Sequence, residues 1–98
     1  VVVVVPSPRG VKLLHSKIVS NIQEIRARGA RTIVIAEEGD EAVREFANYL
    51  IEIPATSSIM QPLLATVPLQ VLAADIAREC GNEDIDKPRN LAKSVTVE

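Results

Sequence analysis

Apolar residues recur along the first half of the chain in two rhythms that alternate. Val1 to Val5 form an unbroken β-branched apolar run closed by Pro6, the pattern of a strand buried on both faces of a parallel sheet. Ser7-Pro8 then offers an N-cap with proline at the first helical position. The spacing predicts a helix over 11–28, with Val11, Leu14, Ile18, Ile22 and Ile25 as the stripe that packs on the sheet and Gly29 as its left-handed stop. Thr32-Ile33-Val34-Ile35-Ala36 is the second strand. In the charged turn Glu37-Glu38-Gly39-Asp40-Glu41, Asp40 is placed to cap a short helix containing Ala42, Val43, Phe46 and Ala47. Tyr49-Leu50-Ile51-Glu52-Ile53, with 50–53 in the sheet core, is the third strand, ended by Pro54. Strand, helix, strand, helix, strand in short order predicts an α/β fold: a three-layer parallel sheet with flanking helices, joined by right-handed crossovers.

The second half reads differently. Ile59 to Cys80 is long, apolar and interrupted by Pro62 and Pro68. Pro62 suits a first turn, whereas Pro68 is expected to kink the helix or divide it into two pieces. Leu69, Leu72, Ala73, Ile76 and Ala77 would be the inner face of the second piece, with Asp75, Arg78 and Glu79 outside. Gly81 ends it, and Asn82 to Asp86 is an acidic connector. The pattern therefore divides the chain into a folded part, 1–85, and a tail, 86–98. In the tail, charged residues and Pro88 resist helix, and Val95-Thr96-Val97 suits an ordered extended segment.

Composition narrows the partners. With 98 residues there is one domain and one modest core. Apolar residues are 47% of the chain and aromatics 2%, so that core is aliphatic. The net charge of −2 with dispersed Lys and Arg argues against nucleic acid as a partner. No apolar run approaches the roughly 18 residues that span a bilayer, and the valine run is too short for a signal-peptide core. A soluble, cytoplasmic protein is expected, and single Cys80 excludes an intrachain disulfide. A chain opening without Met, directly in a strand, suggests a fragment.

Four features could carry chemistry besides the tail. Thr56-Ser57-Ser58 before a helix could present hydroxyls and N–H groups to a phosphate, although N-capping is the simpler reading. Ser7-Pro8-Arg9-Gly10 follows strand one at a carboxyl end, where α/β ligands bind, but a turn explains it as well. His15 has no nucleophile or acid partner near it in sequence and reads as structural or surface. The charged turn reads as a solvated cap in preference to a metal site, because no further ligand is spaced to complete a set. In the tail, Lys93 stands between small Ala92 and Ser94 and is either a solvated lysine or a positioned amine, and on spacing alone the solvated reading is favoured.

The run Asp86-Lys87-Pro88-Arg89-Asn90-Leu91-Ala92-Lys93-Ser94-Val95-Thr96-Val97-Glu98, with Thr66-Val67-Pro68-Leu69-Gln70-Val71-Leu72-Ala73 and Ser20-Asn21-Ile22-Gln23-Glu24-Ile25-Arg26-Ala27-Arg28-Gly29 before it, resembles the isomerising glutamine:fructose-6-phosphate aminotransferases, the glucosamine-6-phosphate synthase family. The resemblance covers the whole chain and implies the closing half of the second sugar isomerase (SIS) subdomain, followed by an extended C-terminal tail that contributes to the isomerase site. It implies an enzyme that makes glucosamine 6-phosphate from fructose 6-phosphate and glutamine, with no metal and no organic cofactor. Lys93 would act in sugar ring opening and as the Schiff-base amine, and the backbone at Ala92 would contact the sugar.

The same resemblance limits other residues. The family's phosphate loop, isomerising glutamate, ring-opening histidine and glutaminase cysteine lie in upstream stretches, so neither His15 nor Cys80 inherits a role. The implied partners are the phosphosugar, the upstream remainder of the polypeptide and a second copy in a homodimer. An isolated fragment would be inactive, because three strands leave at least one edge to be covered. The alternative is a non-catalytic SIS module that binds a phosphosugar or only dimerises.

Overall fold

The computed structural model describes residues 1–82 and 85. Six elements follow in the order β1 (Val2–Val4), α1 (Lys12–Ala27), β2 (Ile33–Glu37), α2 (Glu41–Arg44), β3 (Tyr49–Ile53) and α3 (Gln61–Glu79). The strands form one parallel sheet in the order β1-β2-β3, as the alternating pattern predicts. Register places Val3, Val34 and Leu50 in one row across the sheet and Val4, Ile35 and Ile51 in the next. Because side chains alternate along a strand, these rows face opposite ways.

Each face has its own helices. Val5, Val34 and Ala36 meet Ile22 of α1 and Val43 of α2, with Ile18, Val19, Phe46 and Leu50 packed around them. On the other face Ile35 and Ile53 meet Ala65, with Ile51 and Leu64 beside them. Burying each of the large aliphatic side chains contributes about 1.5–3 kcal/mol. The end of α1 follows from Gly29 at φ +84: its N–H reaches the Arg26 carbonyl at 2.8 Å and that of Ala30 reaches Ile25 at 3.3 Å, the paired bonds of a Schellman stop.

Coverage is uneven, and here expectations from the pattern are corrected. The valine run is not buried on both faces, since Val2 and Val4 are 42% and 41% exposed. The reason is that α3 lies over β2 and β3, leaving that face of β1 open. The amino-terminal half of the α1 stripe shares this corner: Val11 and Leu14 are exposed, and with Val4, Ile18, Pro62 and Ala65 they line an apolar groove of about 450 Å³.

The helix starts differ as well. The Ser7 hydroxyl accepts the Arg9 N–H at 3.2 Å, so it is occupied within its own turn, and α1 begins only at Lys12 with Val11 as an N-cap that makes no side-chain bond. Likewise Thr56, Ser57 and Ser58 do not cap α3 with their hydroxyls. The N-cap is Met60, and the Ser57 carbonyl accepts the N–H groups of Met60 and Gln61, both at 3.0 Å.

Pro68 does not divide α3, which runs as one helix through it. Proline removes one donor, the one directed at Leu64, and the turns on either side carry the helix across. The expected inner face of its second half is only partly inward: Leu72 and Ala77 are half-buried, but Leu69, Ala73 and Ile76 are exposed. The buried residues of α3, Gln61 and Ala65, belong to its first half. Among the described residues, no helix is long and apolar enough to cross a membrane.

Candidate functional site

The carboxyl ends of the three parallel strands meet at one edge, the place where open α/β sheets bind ligands. Pro6 follows β1 and a tight turn comes next, with Gly10 N–H on the Ser7 carbonyl at 3.1 Å, so the turn reading of Ser7 to Gly10 holds. That turn carries Arg9 over the end of β2. Its Nε donates to Glu37 Oε1 at 2.8 Å, and its Nη2 donates to the Thr56 carbonyl at 3.1 Å. One guanidinium thus joins the segments that leave β1, β2 and β3. The Glu37 carboxyl is buried, and the hydrogen bonds from Arg9 and then Ser7 hold it below the usual carboxylate range against the opposing effect of burial. The Arg9 guanidinium is raised correspondingly by its bond to Glu37.

Gln61, at the start of α3, enters the same edge from the other side. Its Oε1 accepts the Ser7 N–H at 2.9 Å, and its Nε2 donates to the Val5 carbonyl at 3.2 Å. Both bonds are buried, so the amide behaves as a short extra rung at the end of β1.

Next to this network, the β2–α2 turn closes with Asp40 N–H on the Glu37 carbonyl at 3.2 Å and Gly39 at φ +81, a conformation that favours glycine. Asp40 caps α2 as the charged turn predicts, its Oδ1 accepting the Ala42 N–H at 3.2 Å. It is not a solvated cap, however. Asp40 is 4% exposed, and its Oδ2 lies 2.6 Å from His15 Nε2 on α1. His15, itself buried, therefore has an acid partner, which corrects the expectation that it has none. The two are 25 positions apart, so only the βαβ crossover brings them together.

These groups are arranged to fix loops. Glu37 is engaged by Arg9, and Asp40 by His15 and a helix terminus, so both carboxylates are committed to neighbouring elements. Ser57 and Ser58 stay exposed beyond β3. The residues singled out for chemistry, Lys93 and Ala92, lie outside the described residues. Sequence reading missed the joint role of Arg9, Glu37 and Gln61. Arg9 follows a strand and Gln61 opens a helix, but nothing in their spacing pairs them with partners 28 or 54 positions away.

No family model matches the chain. Over all 98 residues the chain is 74% identical to the isomerizing glutamine–fructose-6-phosphate aminotransferase of Streptomyces coelicolor. It is 70% identical to that of Corynebacterium efficiens and 67% to that of Mycobacterium tuberculosis, again over the whole chain. Throughout its length the chain matches a segment of this aminotransferase family. It spans about 16% of the length of these relatives. In the aminotransferases the matching segment is therefore joined to much more polypeptide.

Proposed function

We propose that this chain is part of an isomerising glutamine:fructose-6-phosphate aminotransferase, which converts fructose 6-phosphate and glutamine into glucosamine 6-phosphate and glutamate in the cytoplasm. The observation that carries this reading is identity of 64–74% along the entire chain to proteins bearing that name. In this reading residues 1–85 are the closing half of a sugar isomerase subdomain and 86–98 reach the isomerase site, completed by the remainder of the polypeptide in a homodimer. The parallel α/β sheet supports an SIS assignment without being specific to it.

Lys93 is the amine of this proposal. It attacks the C2 carbonyl of the open-chain sugar phosphate and releases water to leave a Schiff base, while the Ala92 backbone holds the sugar. Such an amine must be neutral part of the time, which requires desolvation or a neighbouring cation. The test is a chimera in which this chain replaces the matching segment of the Streptomyces coelicolor enzyme. Glucosamine 6-phosphate formation should be retained, and Lys93→Ala should lower it by about a hundredfold or more while glutamine hydrolysis persists. A chimera that folds but makes no aminosugar would overturn the reading of the chain. Unchanged synthesis in Lys93→Ala would overturn the role of the lysine alone.

A further inference from the structure

We propose that the outward side of α3 is an interface, seated against an apolar, uncharged surface on the remainder of the aminotransferase polypeptide. This inference rests on the function proposed above. From Gln61 to Ala74, about 20 Å of helix, α3 carries no charged side chain. Its inner side lies on the sheet, where Ala65 is buried and Leu64 packs beside it against Ile35 and Ile53. On the outer side Leu63, Val67 and Val71 recur at helical spacing, each more than half exposed. A helix that meets water on one side carries charge there, whereas one uncharged around its circumference belongs in an interior. In the same fold α1 follows the first rule, with Lys12, Lys17, Glu24 and Arg26 at exposed positions along it.

The polar groups on this side allow it to leave water. The Thr66 hydroxyl donates to the Pro62 carbonyl at 2.7 Å within the helix, so covering it orphans no donor. At the far margin Asp75 is paired with Arg78 at 2.9 Å, and Glu52, on the rim between β3 and α3, is paired with Arg44 at 3.0 Å. Both acids thus meet an incoming surface with their charge matched, which favours an uncharged partner over a basic one. Between helix and strand, Ile51, Pro54, Val67, Pro68, Val71 and Leu72 line an apolar groove of about 500 Å³, a recess for aliphatic side chains of the covering surface. Length decides the occupant. The chain spans about 16% of its relatives, so most of such a protein lies outside this segment. A permanent contact within one polypeptide takes an uncharged apolar face, whereas surfaces that part and re-form are more polar.

The test uses the chimera described above, whose glucosamine 6-phosphate synthesis reports on the family reading separately. Val67→Cys places a small thiol on the face. In the folded chimera, maleimide labelling at position 67, read by peptide mass spectrometry, should be at least about tenfold slower than in the urea-unfolded chimera, because a covered thiol is inert. Labelling at the unfolded rate would overturn the interface. A photoreactive residue at position 67 then identifies the cover. It should cross-link to the same polypeptide outside the 98-residue segment, with no shift to a dimer on a denaturing gel. Cross-links to a second copy, or only within residues 1–98, would overturn the assignment of the occupant. Should the Val67 variants fail to fold, Val71→Cys and a photoreactive residue at position 71 carry the same comparison. If the unsubstituted chimera folds and makes no aminosugar, the reading of the chain fails, and with it this assignment.

Discussion

Glu37 shows how a single side chain at the strand ends couples protonation to the fold. Its carboxyl is held below the ordinary range chiefly by the Arg9 hydrogen bond and next by that of Ser7. A depressed pKa in the folded state means that the contribution to stability is fully present above the ordinary glutamate value of about 4.3. It is lost as pH falls through the lower folded value. Glu37→Gln should therefore be less stable than the unmodified chain at neutral pH, and the difference should shrink as pH falls below about 4. Thermal unfolding of the chimera with and without this substitution, at several pH values between about 6 and 3, measures this. A difference that widens on acidification would contradict it. Little of this was legible from residues alone: the acid at the end of a strand is visible, but Arg9 reaches it only because a turn after β1 points across to β2.

Helices and strands were more legible than their ends. The βαβ alternation, the strand at 49–53 and the stop at Gly29 are written in apolar spacing and in residues with restricted or unusual backbone freedom. At Gly29 the required φ is +84, and a Cβ there would meet nothing within 4 Å. Gly29→Ala should thus destabilise by backbone strain alone, about 1–2 kcal/mol, without repacking. The measurement is a fall in unfolding midpoint accompanied by faster exchange of the Ala30 amide. A substitution that raised the midpoint would show that the helix end tolerates another backbone path. The helix starts were misplaced because hydroxyl residues near a start have alternatives to capping it: Ser7 binds within its own turn, and at Ser57 it is the backbone carbonyl that accepts. Pro68 does not divide its helix, since one missing donor in a 19-residue helix leaves most of its bonds intact.

At the scale of the molecule, the described residues expose apolar surface on two fronts. One is the corner of Val2, Val4, Val11 and Leu14. The other is the outer side of α3, where Leu63, Val67 and Val71 recur at helical spacing. Patches of this kind on an isolated chain promote association, and β1 presents an apolar edge strand without a charge or proline to protect it. The 98 residues expressed alone should therefore bind a hydrophobic dye, self-associate in sedimentation and make no glucosamine 6-phosphate. The chimera should show neither dye binding nor concentration-dependent association beyond its own oligomer. An isolated chain that sediments as a dye-free monomer would show that this surface needs no cover.

The sequence by itself determined the class of fold, the parallel sheet and the resemblance to the aminotransferases, because these depend on local periodicity and on runs of specific residues. Tertiary structure alone decided which apolar residues are buried. Val2 and Ile22 carry the same β-branched apolar signal in sequence, yet Ile22 is sealed under the sheet and Val2 stays open, since burial depends on what lies opposite. It also decided the polar partnerships: Arg9 with Glu37, His15 with Asp40 and Gln61 with the end of β1 join positions 25 to 56 residues apart. No spacing rule encodes such pairs, because the distance between them is set by the strand order and the crossovers, and not by the chain between.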